Sequence, residues 1–394
     1  MSISIVTKKH PIDAEWVHIK FSEKSIFKDV YGFSGNQGMV NLEGIRYIPK
    51  GKASATLLIY MHPASTLQLL PMPRAMAEVG VHVLCAGSRY ARNDTALIME
   101  NVVIDLGAYV EHAKNVWGYK KVVLVGWSGG GSLALLYQSQ AEHPAITHTP
   151  AGDPCSLIEA KLIPADGFIL QAAHISRAEI LADWIDPSVR DENDPDDRDP
   201  ELDLYDRRNS PPYSAEFLIR YRDAQRARIR RRTAWAIELL EQLRRKGGYE
   251  MERCFVTHRT MADPRFLSAI IDPNDRVPGM CYMGHPETVN ASPAGLARFS
   301  TLRSWLSQWS IDDTQADGER CARHISVPFL AIENSADDAV PKTHMQRLFE
   351  TVASADKTMR VIPKANHYYV GQPELLYAAV NLCIDWMTER QLLT

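Results

Sequence analysis

A chain of 394 residues with 44 lysines and arginines against 48 aspartates and glutamates carries a formal charge of -4, which excludes a general electrostatic attraction to nucleic acid or to an anionic membrane. Its composition, 45% hydrophobic and 23% charged, is that of an ordinary globular protein, long enough for two or three units at roughly 150 residues each. The six cysteines, Cys85, Cys155, Cys254, Cys281, Cys321 and Cys383, show no C-x-x-C spacing, so they read as reduced thiols rather than a disulfide framework or a zinc site.

The chain opens with Met1 to Pro11, which lacks the apolar region and small-residue cleavage site of a signal peptide. No later run approaches the ~18 apolar residues of a membrane span. A cytoplasmic protein is expected, in which the glycosylation pattern Asn290-Ala291-Ser292 stays idle. Residues 15–21 and 39–48 alternate apolar and polar as antiparallel edge strands do. Residues 55–61 form a buried strand, followed by His62-Pro63-Ala64-Ser65, a helix over about 67–79 and a strand over 81–86. A long helix is expected from Asp94, as N-cap, to Trp117, with Gly118 as its stop.

Residues 121–136 read strand, turn, helix. Val122 to Val125 is an uninterrupted, mostly β-branched run suited to a strand buried on both faces, and Leu133, Leu136 and Tyr137 recur at helical spacing. Between them Gly126-Trp127-Ser128-Gly129-Gly130 matches G-x-S-x-G, the pattern in which a sharp turn lifts a serine hydroxyl above a sheet. The glycines leave room beside the nucleophile and let the new helix pack close to the strand it leaves. That helix runs to about Glu142, and residues 167–172 form a further strand. Strands alternating with helices in this way imply a mostly parallel sheet covered on both faces, an α/β fold.

After Ala173 the rhythm breaks. Residues 183–206 hold eleven acidic residues and two arginines, and residues 220–232 hold seven arginines and one aspartate. The second stretch lies in a long helix starting near Ser214 and ending at Gly247-Gly248, and a further helix is expected over about 294–309. The acidic run lacks calcium-loop spacing, and the arginines stand beside it without a nucleic-acid motif, so the two are expected to pair with each other. The α/β rhythm resumes with strands over 327–332 and 359–363 and helices over about 342–354 and 373–389. The expected organisation is a core in two parts, 1–173 and 321–394, carrying a mainly helical cap insertion, 174–320.

A serine hydroxyl needs a base, and the base a carboxylate to orient it. On a parallel sheet such groups sit at the C-terminal ends of strands. After Ile332 comes Asp337-Asp338-Ala339-Val340-Pro341, and after Pro363 comes Ala365-Asn366-His367. The order Ser128, Asp337, His367 is the one this elbow takes. On these motifs the chain resembles the α/β-hydrolase superfamily over about 40–173 and 321–394. The resemblance implies that His367 is the base and Asp337 its orienting acid, with Asp338 as runner-up. The oxyanion hole is expected from the N–H of Gly129 and, because Pro63 has none to offer, from Ala64, with Ser65 as alternative. Candidate substrate contacts are His62, Trp127, Trp235 and Tyr282.

The function expected is hydrolysis of a carboxylic ester of a small apolar or aromatic molecule through an acyl-enzyme. Thioester, amide, lactone and carbon–carbon cleavage, and non-catalytic ligand binding on the same fold, stay open. Ser132, His174 and His344 lack partners at useful spacing. No metal site, nucleotide loop or other cofactor is implied. The expected partner is a small-molecule substrate, with neither nucleic acid nor membrane, and homo-oligomerisation is left open.

Overall fold

Strands at the centre of the molecule are buried along their whole length: all seven residues of Thr56–His62 and all seven of Gly167–Ala173 are shielded from solvent. The computed structural model describes residues 9–22, 38–293 and 295–393. In chain order its first half comprises β1 (Ile12–Ser22), β2 (Met39–Pro49), β3 (Thr56–His62), α1 (Pro71–Glu78), β4 (His82–Gly87), α2 (Met99–Asn115), β5 (Lys121–Ser128), α3 (Gly130–Glu142) and β6 (Gly167–Ala173). Then come α4 (Arg177–Trp184), β7 (Val189–Asp191), β8 (Asp194–Arg198), α5 (Ala215–Lys246), β9 (Cys254–Val256), α6 (Pro286–Ala291), β10 (Phe299–Thr301), α7 (Leu302–Gln308) and α8 (Gly318–Ala322). The chain closes with β11 (Phe329–Asn334), α9 (Lys342–Thr351), β12 (Lys357–Ile362) and α10 (Pro373–Glu389).

Eight strands form one sheet in the order β1-β2-β4-β3-β5-β6-β11-β12. The first two are antiparallel to their neighbours, and the other six run parallel. Alternate side chains of each inner strand go to opposite faces, as the pleat requires. Leu57, Ile59, Val122, Leu124, Phe168 and Leu170 pack against Val102, Leu106, Leu133, Leu136 and Leu348 of α2, α3 and α9. Leu58, Tyr60, Val123, Val125 and Ile169 pack against Met72, Met76, Val380 and Trp386 of α1 and α10. Full burial of each large apolar side chain contributes about 1.5–3 kcal/mol relative to exposure. The two packed layers hold the C-terminal ends of the parallel strands at one edge.

The sheet is interrupted once. β6 and β11 pair directly although the intervening chain contains α4 to α8. That segment leaves and returns at one point, where the N–H of Gly318 donates to the carbonyl of Ile175 (3.0 Å). It has its own core, with Ile180, Leu181, Ile229, Leu240, Trp305 and Trp309 buried together. The acidic run and the arginines of α5 do meet. Arg228 and Arg232 share Glu192 at 2.7 and 2.8 Å, and Arg222 reaches Asp263 at 2.6 Å and Asp183 at 3.4 Å. Arg259, outside the helix, ties Asp186 to Asp203.

Several sequence expectations change. Asp94 does not cap a helix: α2 begins five residues later, and the Asp94 carboxylate instead accepts from Arg177 (2.5 Å) and from the N–H of Ala297 (2.7 Å). Arg177 is buried, and a buried guanidinium needs its counter-charge more than a helix end needs a cap, worth about 1 kcal/mol. The helix expected over 294–309 is instead β10 followed by α7, with Ala294 outside the described residues. The hairpin of β7 and β8 lies inside the acidic run, where charge masked the strand signal. Residues 1–8, on which the signal-peptide reading fell, also lie outside the described residues. Among the described residues no helix is long and apolar enough to cross a membrane.

One buried acid joins core to insertion. Glu100 of α2 is fully buried, with one carboxyl oxygen facing the hydroxyl of Ser307 on α7 and the other unpartnered. Burial pushes its pKa up to about 7 from 4.5. The folded state therefore holds a proton that the unfolded chain releases, so the favourable contribution is complete below pH 4.5 and is lost as the pH rises through 7. Glu100→Gln should gain ~2 kcal/mol of stability over wild type as the pH rises from 5.5 to 8.5. Urea midpoints across that range measure it, and a pH-independent difference would contradict a carboxyl that titrates near neutrality.

Candidate active site

At the end of β5 the chain turns within one residue. Ser128 has φ +51, a left-handed conformation that costs a side-chain-bearing residue about 1–3 kcal/mol unless its surroundings hold it. Here β5 is clamped between β3 and β6, and the N–H of His174 donates to the Ser128 carbonyl (3.4 Å). α3 starts two residues later against the end of β3: a Cβ on Gly130 would lie 2.3 Å from the Met61 carbonyl oxygen. Only glycine lets the helix begin there, and the hydroxyl of Ser128 is left at the C-terminal edge of the sheet.

The loops after β11 and β12 bring Asp337 and His367 together, both buried, with His367 Nδ1 2.8 Å from Asp337 Oδ2. The other oxygen of Asp337 accepts the N–H groups of Ala339 and Val340, each at 2.8 Å, so the carboxylate is held at both ends. With Nδ1 as the donor, His367 carries its lone pair on Nε2. The runner-up Asp338 makes no bond to this ring, and burial followed by the charge of Asp337 raises its pKa.

A buried ladder fixes the two loops relative to the sheet. Gln171 of β6 donates to the Tyr369 hydroxyl (2.9 Å), which donates to Asn334 of β11 (2.9 Å), which in turn donates to the Asn366 carbonyl (3.0 Å). The insertion braces the acid loop from outside: Asn274 donates to the Asp337 carbonyl (2.8 Å) and the N–H of Asp275 to that of Ser335 (2.7 Å).

Ser128 opens on a cavity of about 50 Å³. The core supplies His62, Ser65, Trp127, His174 and Tyr368 to its wall, and the insertion supplies Trp184, Tyr282 and Leu296. Trp127 and Tyr368 also pack on the His367 ring, each at 4.7 Å between centroids, with Tyr282 at 6.4 Å. Three wall residues carry buried polar atoms without a partner among the described residues: both ring nitrogens of His174, Nε1 of Trp184 and the hydroxyl of Tyr282. Burial, then the charges of His344 and Arg177, lowers the pKa of His174 well below the usual histidine range.

The expected site residues do not all gather here. Ser128, His62, Trp127 and Tyr282 line the cavity, and Gly129 follows the serine. Ala64 is corrected: its N–H, like that of Ser65, donates to Nδ1 of His62 (3.1 and 3.0 Å). Pro63 turns the chain so that these two groups face back onto the ring. Trp235 is also corrected. It stands 42% exposed on α5, edge-on to Phe255, in a separate cleft with Arg231, Arg232 and His258. Its helical phase puts it beside, and not on, the buried stripe of Ile229, Ala236 and Leu240.

His174 and Trp184 were missed as wall residues, although His174 directly follows β6 at the same sheet edge that carries Ser128. His344 accepts the N–H of Ile175 and is held down to about 3 by burial, and Ser132 donates to the Gly129 carbonyl, so both belong to the scaffold.

The sequence matches no protein-family model and no curated protein. Among solved structures the chain is similar to a DcsB complex with its substrate analogue, at 12% identity over 95% of this chain and 99% of that one, with a TM-score of 0.50. It is also similar to Est1E from Butyrivibrio proteoclasticus, at 13% identity over 89% and 96% with a TM-score of 0.46. A third similar structure is the monoacylglycerol lipase of Paleococcus ferrophilus, at 13% identity over 94% and 99% with a TM-score of 0.44. The chain has the α/β-hydrolase fold: a mostly parallel eight-stranded sheet with its serine elbow after an inner strand.

The geometry separates the two neighbouring acids. Asp337→Asn should slow modification of Ser128 by a fluorophosphonate by ~10⁴, the loss typical when the histidine tautomer is no longer held. Asp338→Asn should change it by less than roughly tenfold. Adduct formation followed by intact mass measures both, and equal slowing would place the orienting acid elsewhere.

Proposed function

We propose that the protein is a serine hydrolase that cleaves a carboxylic ester of a small substrate through an acyl-enzyme. The observation that carries the reading is the Asp337–His367 pair, buried and bonded at 2.8 Å, behind a cavity lined by a serine held at φ +51. Ser128 Oγ attacks the ester carbonyl and His367 Nε2 takes its proton. Asp337 keeps the ring oriented and stabilises the imidazolium. The tetrahedral intermediate collapses as His367 returns the proton to the leaving alkoxide, and water repeats the sequence on the acyl-enzyme. Gly129 N–H, at the N-terminus of α3, supplies one donor to the oxyanion.

Cavity size supports a short acyl group. About 50 Å³ accommodates roughly three to five water molecules. The aromatic walls of Trp127, Trp184 and Tyr368 favour an apolar part, while the unpartnered atoms of His174, Trp184 and Tyr282 favour an oxygen-bearing group beside it. Because Trp184, Tyr282 and Leu296 all come from the insertion, we infer that this segment acts as a cap that selects substrate.

Ser128→Ala should abolish turnover of short p-nitrophenyl esters while leaving the thermal midpoint near wild type, since loss of such a nucleophile typically costs ~10⁶. Acyl chains that outgrow the cavity should lose roughly tenfold or more in kcat/KM. A crystal structure of the phosphonate adduct should show Trp184, Tyr282 or Leu296 in contact with the bound group. Retention of more than about a hundredth of wild-type kcat in Ser128→Ala, or no adduct on the native enzyme, would sink the reading in favour of a binding protein on this fold.

A further inference from the structure

We propose that the second oxyanion donor is a side chain, the Nε2–H of His62, standing where Pro63 has removed a backbone N–H. The inference rests on the serine-hydrolase reading and deepens it. His62 closes β3 at the catalytic edge, and its ring is fixed by two bonds to one nitrogen: the N–H groups of Ala64 and Ser65 both donate to Nδ1, at 3.1 and 3.0 Å. A nitrogen that accepts two hydrogen bonds carries a lone pair, so the single proton of the neutral ring sits on Nε2.

The ring is neutral. His62 is 3% exposed, and burial, followed by the charges of Arg177, His174 and His367, lowers its pKa well below the usual histidine range. Tautomer and charge state are therefore both set by the protein before substrate arrives. That is the pre-organisation an oxyanion donor requires.

Position completes the argument. Nε2 lies against the backbone of Gly129: a Cβ built on that residue would come within 2.5 Å of it. His62 lines the cavity on which Ser128 opens, and among the described residues no group accepts from Nε2–H. His62 Nε2 thus stands against Gly129, the residue that follows Ser128 at the start of α3 and whose N–H is the other donor. The backbone donor expected from this loop, Ala64, is already spent on Nδ1. By donating there it draws charge from the ring and strengthens Nε2–H as a donor.

As Ser128 attacks, the carbonyl oxygen becomes an alkoxide and receives both hydrogen bonds. No proton leaves His62 at any step. It differs in this from His367, which takes and returns the serine proton.

The competing account is that His62 only scaffolds residues 63–65, and the test separates the two. Labelling of wild-type Ser128 by a fluorophosphonate checks the hydrolase reading on its own, and absence of an adduct overturns both. Given labelling, His62→Phe should lose about 10²–10³ in kcat on p-nitrophenyl acetate with KM within a few fold, and should weaken inhibition by a trifluoromethyl ketone to a similar extent. His62→Gln, which returns an N–H near the same place, should recover part of both losses. A second measurement needs no variant: nitrogen-15 spectra of the wild-type enzyme should place the His62 proton on Nε2 and show its resonance moving downfield when Ser128 is phosphonylated. A proton on Nδ1, an Nε2–H unmoved by the phosphonate, or a rise in KM alone in His62→Phe would overturn the inference while leaving the serine nucleophile intact.

Discussion

The structure depends on one uncomfortable residue. Ser128 sits at φ +51, and a left-handed backbone persists only where neighbouring elements over-determine it. β3 and β6 flank the strand, and α3 begins so close to Met61 that its first residue must be glycine. That close approach has a second effect: it presses the first turn of α3 against His62, the next residue along β3. The turn that exposes the Ser128 hydroxyl and the contact that places an imidazole beside Gly129 thus have the same origin, the missing Cβ atoms at the head of one helix.

His367 and Asp337 are held by different means. Neither lies on a strand; both lie on loops, which are mobile by default. Rigidity comes from buried polar bonds, the run from Gln171 through Tyr369 and Asn334 to Asn366, and from the insertion pressing on residues 335–337 through Asn274 and Asp275. Tyr369 and Lys364 also adopt positive φ in the loop that carries His367. Groups of this kind are costly when partly satisfied and specific when fully satisfied.

Much of this was legible in the sequence, for physical reasons that differ by element. The inner strands announced themselves as apolar runs because both faces are buried, and α10 because Pro373 opens an amphipathic repeat. Ser128, Asp337 and His367 could be found because strand ends on a parallel sheet define a single edge. Asp94 misled because an N-cap and the partner of a buried arginine call for the same side chain. The segment around 294–309 misled because its apolar residues follow the bends of a mixed chain rather than one helical face. Trp235 could not be oriented, since on a helix as charged as α5 arginines occupy the buried stripe as well as the surface. The fate of the Ala64 N–H depends on where an imidazole nitrogen points, and residue identity alone does not contain that.

The meeting of the insertion's two ends has an evolutionary consequence. Because residues 176–317 depart and return at the bond between Gly318 and Ile175, they form a side branch on a sheet whose pairing of β6 with β11 does not pass through them. Loop closure grows only with the logarithm of length, about 0.6 kcal/mol per doubling, so a branch of another size could be grafted at the same pinch at little cost to the framework. It would have to replace the struts at Asn274 and Asp275 and the partner that Arg177 provides for Asp94. The sheet that carries Ser128 and the segment that helps wall its cavity are thus separable stretches of one chain, free to diverge at different speeds.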